Sequence, residues 1–271
     1  MKKVFAPLAA ACVLAVARAV MAVRLTEPGT GFFPPDSGAG LYTAALLAAV
    51  ALLAWLAGRH APAQGAGALL AAPLGGAVQL IAALGLAAGA GMAFTLRHRM
   101  WQPLAAAAVV SALCLLLLIP AAKGKNLRGG GEQAGLLLLP LVIYAMVALL
   151  TAHLAGRNIL HVPENMYTLV GCALLLPAIY SESRLRVGLE PPSRTLRLMT
   201  AAAVLLTATA LPMALLRMAG TVVSVTQAPE LDLVNLSLLP LLWHRVAALG
   251  SGVIPAESAA DPITSQEEEE A

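Results

Sequence analysis

Charge is scarce in this chain of 271 residues. Asp, Glu, Lys and Arg together make up 11% of it, against roughly 25% in a soluble domain. So few polar groups cannot cover a surface that faces water. Lipid is the solvent that fits a 59% hydrophobic composition and a mean hydropathy of +0.82. Aromatic residues are also rare, at 4%. The apolar runs are rich in Ala and Leu and poor in β-branched residues, which suits helices rather than barrel strands. Backbone groups in lipid must be satisfied within their own segment. The fold class is therefore all-α, a polytopic transmembrane helical bundle.

Cysteine is scarce too. Cys12, Cys114 and Cys172 all lie in apolar runs, and no CxxC or Cys/His pairing exists. This excludes a disulfide framework and a zinc knuckle and leaves buried free thiols. No basic stripe with interleaved aromatics is present, which excludes nucleic acid as a partner. Nothing in the sequence asks for a cofactor or a metal.

Seven apolar runs predict spans: Val4–Val23, Leu41–Gly58, Ala77–Leu96, Pro103–Ala122, Ala134–Ala155, Met166–Ser181 and Leu198–Ala219. Most reach the ~20 residues that cross a hydrocarbon core. Leu231–Leu249 is a further apolar stretch, interrupted by Asp232, Pro240, His244 and Arg245. It reads as an eighth span, an interfacial helix or a re-entrant segment, since a His-Arg pair is costly in lipid. The chain divides into a bundle over 1–220, this apolar segment over 221–255, and an acidic, disordered tail over 256–271. The tail holds Glu257, Asp261 and Glu267 to Glu270 without a base.

With the N-terminus inside, the inner segments hold Lys2, Lys3, Arg59, Lys123, Lys125, Arg128, Arg184, Arg186, Arg194 and Arg197. The outer ones hold Arg24, Arg97, Arg99, Arg157 and Arg217. This bias predicts a cytoplasmic N-terminus in a cell membrane. Arg97 and Arg99 dissent. Tyr42, Trp55, Trp101, Tyr167 and Tyr180 fall near span ends, where amphipathic rings sit at the headgroups. Lys2-Lys3 and the following run also resemble a signal peptide, with Ala17-Arg18-Ala19 or Leu8–Cys12 as cleavage boxes. A charge at Arg18 and the membrane character of the rest favour a retained first span.

Arg24–Gly40 joins the first two spans and reads as an external cap shaped by glycine and proline. It contributes Arg24, Glu27, Phe32 and Phe33 to a candidate outer site. His153, His161 and Glu164, around the turn after the fifth span, complete it. Their spacing lacks the helical His-Glu-x-x-His order of a zinc hydrolase, because Pro163 intervenes. The basic glycine-rich segment Lys123–Glu132 lacks the order of a phosphate loop and suits anionic lipid. Arg18 is an intramembrane charge near a helix end, where it can snorkel or meet a helix C-terminus. No Asp or Glu falls within the seven limits, which removes a buried carboxylate relay; sodium sites built from backbone carbonyls remain open. Gly85-Leu-Ala-Ala-Gly89 is a GxxxG motif for close helix approach, within the bundle or between copies.

Glu27-Pro-Gly-Thr-Gly-Phe32 after a first span with a short basic start, and the short span with its basic segment over His161–Arg197, resemble a group of uncharacterised bacterial multi-pass membrane proteins. The resemblance implies no function and transfers no functional residue. The expected function is that of a non-enzymatic, permease-like or accessory membrane component, with the bilayer, other membrane subunits or a second copy as partners. A membrane-embedded enzyme acting on lipid, or a sensor with an external ligand loop, are the alternatives.

Overall fold

The structure is a computed structural model that describes residues 2–25, 38–59, 75–97, 100–119, 130–156, 163–220 and 228–251. Among these, eight α-helices and no strands occur: α1 (Lys2–Leu25), α2 (Ala39–Arg59), α3 (Gly76–Leu96), α4 (Trp101–Leu117), α5 (Gly130–Gly156), α6 (Pro163–Arg186), α7 (Pro192–Met218) and α8 (Pro229–Ser251). Six of them (α1, α2, α3, α5, α7 and α8) are long and apolar enough to cross a bilayer. The chain is an integral membrane protein.

Helices α3 to α8 each pack on the next, and α8 packs back on α3, which closes a six-helix ring. Helices α1 and α2 lie against α7 from outside that ring. Successive helices run antiparallel. All starts of odd-numbered helices therefore lie at one end, here called proximal, together with the finish of α8. The opposite end is distal.

Burial follows from this plan. Helix α7 is surrounded by α1, α2, α6 and α8, and 78% of its apolar window is buried, against 11% for α2. Its centre, Ala201 to Ala210, reads Ala-Ala-Ala-Val-Leu-Leu-Thr-Ala-Thr-Ala and is buried throughout. Small side chains let four neighbours approach one helix, as expected where apolar association alone gives no drive in lipid. Thr207 and Thr209 donate to the carbonyls of Ala203 and Leu205 one turn earlier, so their protons are satisfied within the helix.

The GxxxG motif is used inside the bundle. A Cβ on Gly85 would overlap the Ser237 side chain, and one on Gly89 would overlap Val234. Both partners are on α8. Gly135 meets Ser183 and Val187, and Gly171 meets Leu206, so α5–α6 and α6–α7 use the same device.

Two turns show how the chain reverses. Arg97 caps α3 in a left-handed conformation, with its N–H on the Ala93 carbonyl. Its guanidinium lies 5.4 Å from the Phe94 ring, and Phe94 meets Trp101 edge-on at 5.4 Å. These contacts close the α3–α4 hairpin, so the dissenting arginine sits on a true turn. After α6, Gly188 takes a positive φ of 79°. Leu189 N–H bonds the Arg184 carbonyl and Gly188 N–H that of Leu185, a Schellman termination. Pro192 then opens α7, where a missing N–H costs nothing.

The predicted spans need one correction. The sixth was limited to Met166–Ser181, and the absence of buried carboxylates followed from that limit. Helix α6 runs on to Arg186, and Glu182, the next residue, is buried at 2% exposure. The polar cluster Ser-Glu-Ser-Arg reads as a span end, but its charges neutralise one another inside the protein. Leu231–Leu249 lies within α8 and packs between α3 and α7. The thiols also differ from expectation: Cys172 is buried, but Cys12 is exposed on the outer face of α1.

A Gly85→Leu substitution is expected to wedge α3 from α8 and to destabilise the protein by about 1–3 kcal/mol. Thermal unfolding in detergent reads this, while the oligomeric state, read by light scattering, stays unchanged. Single cysteines placed at Lys2 and Gly250 are expected to react with an impermeant maleimide from the same side of the membrane. Labelling from opposite sides contradicts the eight-helix arrangement.

Candidate functional site

Helices α6 and α8 run parallel, one on each side of α7, and meet inside the ring. Their residues match at a nearly constant offset: Thr168 pairs with Asp232, 64 positions on, and Glu182 pairs with Arg245, 63 positions on. On α6 the interior stripe is Asn165, Thr168, Cys172, Leu175, Ile179 and Glu182. On α8 it is Asp232, Asn235, Leu238, Leu242 and Arg245. Both stripes follow the helical period of three and four. Each is polar towards its two ends and apolar in the middle.

The proximal cluster is ionic. Glu182 Oε1 lies 2.9 Å from Arg186 Nε and 2.7 Å from Arg245 Nη2. All three side chains are nearly inaccessible, at 3%, 6% and 1% exposure. A buried charge this far from water requires a partner, and here one carboxylate serves two guanidiniums. A second acid, Glu190 in the α6–α7 turn, is buried and holds Arg194 at 2.9 Å and Arg184 at 3.4 Å. Ser181 and Thr195 hydroxyls meet at 2.8 Å, and Ser183 donates to the Gly135 carbonyl. Beneath the Glu182 cluster lies a cavity of about 20 Å³ lined by Leu175, Ile179, Leu238 and Leu242, with Glu182 and Arg245 at its edge.

The distal cluster is built from hydrogen bonds. Arg18 of α1 is fully buried and stacks over the Tyr167 ring at 4.9 Å. Tyr42 donates to the Leu14 carbonyl. Thr43 donates to the Ala39 carbonyl, so the Tyr167 hydroxyl donates to Thr43 across 2.7 Å. These contacts tie α1 and α2 to α6. Thr168 donates to Asp232 Oδ1 at 2.9 Å. A cavity of about 20 Å³ opens between α6, α7 and α8, lined by Tyr167, Thr168, Thr209, Asp232 and Asn235 together with apolar Leu206 and Met213. Halfway along α7, Thr207 accepts the Trp243 indole N–H at 2.9 Å.

The outer site expected from the sequence is described only in part. Arg24, in the last turn of α1, and His153, in the last turn of α5, are both exposed at the distal end. Helices α1 and α5 are not a packed pair among the described residues. Glu164 is the second residue of α6. Glu27, Phe32, Phe33 and His161 lie outside the described residues, as do most of Arg24–Gly40, Lys123–Arg128 and the acidic tail. Gly85 and Gly89 occupy the α3–α8 contact described above. Trp55 and Tyr180 are exposed beneath Arg59 and Arg184, as interface rings would be. Tyr42 and Tyr167 instead turn inward: Tyr42 bonds the Leu14 carbonyl, and the Tyr167 ring lies against Arg18, which meets an aromatic face rather than the headgroups.

The residues that sequence reasoning missed are Thr168, Glu182, Asp232 and Asn235 as one interior seam. The signal was present in the matched period of α6 and α8. It was hidden because neither segment is uniformly apolar. Compared with protein-family models, curated proteins and solved structures, the chain matches none.

Removing the shared carboxylate by Glu182→Ala leaves two buried guanidiniums and is expected to cost about 3–5 kcal/mol. Arg194→Ala, at a side chain 65% exposed, is expected to change stability by no more than about 0.5 kcal/mol. Thermal unfolding of both variants in the same detergent checks the contrast.

Proposed function

We propose that the chain is a non-enzymatic, permease-like or accessory component of the cell membrane. One observation supports this reading above others. Helices α6 and α8 meet across the ring interior through side chains, Thr168–Asp232 distally and Glu182–Arg245 proximally, with small cavities between. Two helices joined by polar bridges at either end can separate at one end while the other stays closed. Alternating access, in which a site between two gates opens to one side at a time, is compatible with this arrangement. The Lys and Arg bias supports a cytoplasmic proximal end, so the ionic cluster would close the inner side and the distal cavity would face outward.

The lipid-enzyme reading draws less support. Its described residues, Arg24 and His153, are exposed at separate helix ends. Among the described residues no three His, Cys, Asp or Glu side chains converge as metal ligands would.

The test uses purified protein in liposomes and a panel of small amino acids, sugars and organic anions. At least one solute is expected to enter faster than into protein-free vesicles. Cross-linking a Leu175→Cys, Leu238→Cys pair, matched across the seam, is expected to abolish that entry and reduction to restore it. Conversion of labelled phospholipid into a new chemical species by the wild-type protein overturns the proposal.

A further inference from the structure

We infer that the proximal ends of α2 and α7 form a binding site for an anionic phospholipid, with its headgroup phosphate between Arg59 and Arg197 and an acyl chain along the exposed face of α2. The inference goes beyond the permease reading and does not depend on it.

The last turn of α2 prepares the site. Trp55, Gly58 and Arg59 share one face by the three-and-four spacing of a helix. Gly58 is buried, and a Cβ there would overlap the Arg197 side chain of α7. The glycine thus lets Arg197 lie across the end of α2, beside Arg59. The Arg59 guanidinium rests over the Trp55 ring, 4.3 Å from its centroid. Two guanidiniums from different helices are brought to one spot, and both side chains are exposed.

Like charges held together call for an anion. Glu190 already holds Arg184 and Arg194. Among the described residues no carboxylate pairs with Arg59 or Arg197. From Ser37 to Gly131 the chain contains no Asp or Glu, so neither α2 nor the stretch after it supplies one. A phosphate diester fits two guanidiniums, each a fork of N–H donors.

The surroundings favour a lipid over a free phosphate. Trp55 is 45% exposed, and indole rings prefer the headgroup level. Leu52, Ala48, Ala45 and Leu41 follow it at steps of three and four, and all are exposed. Two alanines between leucines leave a shallow apolar lane for an acyl chain leading away from the headgroup. Helix α2 is attached to the bundle chiefly through α7. A lipid held by Arg59 and Arg197 bridges these two helices and fastens α2 to the ring. The Lys and Arg bias that supports a cytoplasmic proximal end puts the site in the leaflet where anionic lipids concentrate.

The experiment titrates the full-length protein in detergent with phosphatidylglycerol or phosphatidylcholine of the same chain length. Native mass spectrometry reads binding and thermal unfolding reads stability. Phosphatidylglycerol is expected to bind tightly and to raise Tm in a saturating way, and phosphatidylcholine to do neither. Arg59→Gln and Arg197→Gln are each expected to weaken phosphatidylglycerol binding by about fivefold. Both side chains are exposed, so each variant is expected to fold. Arg97→Gln removes a guanidinium from beside Phe94 at the distal end and is expected to bind lipid as wild type does. Equal binding of the two lipids, or wild-type binding in either Arg59→Gln or Arg197→Gln, overturns the inference. An equal rise in Tm with inorganic phosphate alone also overturns it, because a free anion then suffices without the apolar lane.

Discussion

A carboxylate placed between two guanidiniums, away from water, governs how this bundle is put together. In a medium of low dielectric constant the Coulomb energy of such contacts is large, but so is the loss of hydration on both sides. The cluster is therefore better understood as a constraint than as a source of stability. Arg245 brings a guanidinium to Glu182 from another helix, and Glu182 gives Arg245 a buried counter-charge. Arg186 lies one turn from Glu182 on the same helix and so joins the pair without a further tertiary contact. The pairing fixes the axial register of α8 against α6. Once that register is set, Asp232 falls beside Thr168 without further adjustment, because two parallel helices share one rise per residue.

The remaining architecture answers to close approach. Glycines at the α3–α8, α5–α6 and α6–α7 contacts remove the side chains that would hold backbones apart. The hydroxyls of Ser111, Thr151, Thr207 and Thr209 bond to carbonyls one turn back in their own helices. That leaves them compact and quiet, except where a lone pair is used again. Thr207 reuses one for the Trp243 indole. Prolines inside α1, α5, α6, α7 and α8 are accepted, as they are in membrane helices whose neighbours supply alternative partners.

Much of the fold was legible from hydropathy alone. Apolar runs of near-uniform length announce helices directly, so α2, α3 and α5 could be placed closely. The limits of α6 could not, because a window of average hydropathy weighs Glu182 as solvated when its partner lies 63 positions away. The same blindness applied to α8: Asp232, His244 and Arg245 each lower its apparent affinity for lipid, yet two of the three are answered by α6, and His244 lies half-buried beside Gly75. The candidate site was less legible still. Loops drew attention through their composition, whereas the interior seam is made of common residues whose significance comes from sharing a face. Arg18 was visible as an anomaly, but its aromatic support comes from Tyr167, a ring that position alone assigned to the interface.

The closure of the ring by α8 has a consequence for biogenesis. The chain is made from the N-terminus, and α3 to α7 are synthesised before the helix that joins the two ends of their arc. Until α8 arrives, the glycine face of α3 and one whole side of α7 have only lipid beside them, and Glu182 lacks its deeper arginine. The half-built protein is thus an open crescent in which Glu182 keeps Arg186 of its own helix but not the guanidinium of α8. The ring can close only once synthesis has reached α8, so the last helix made is the one that completes the interior.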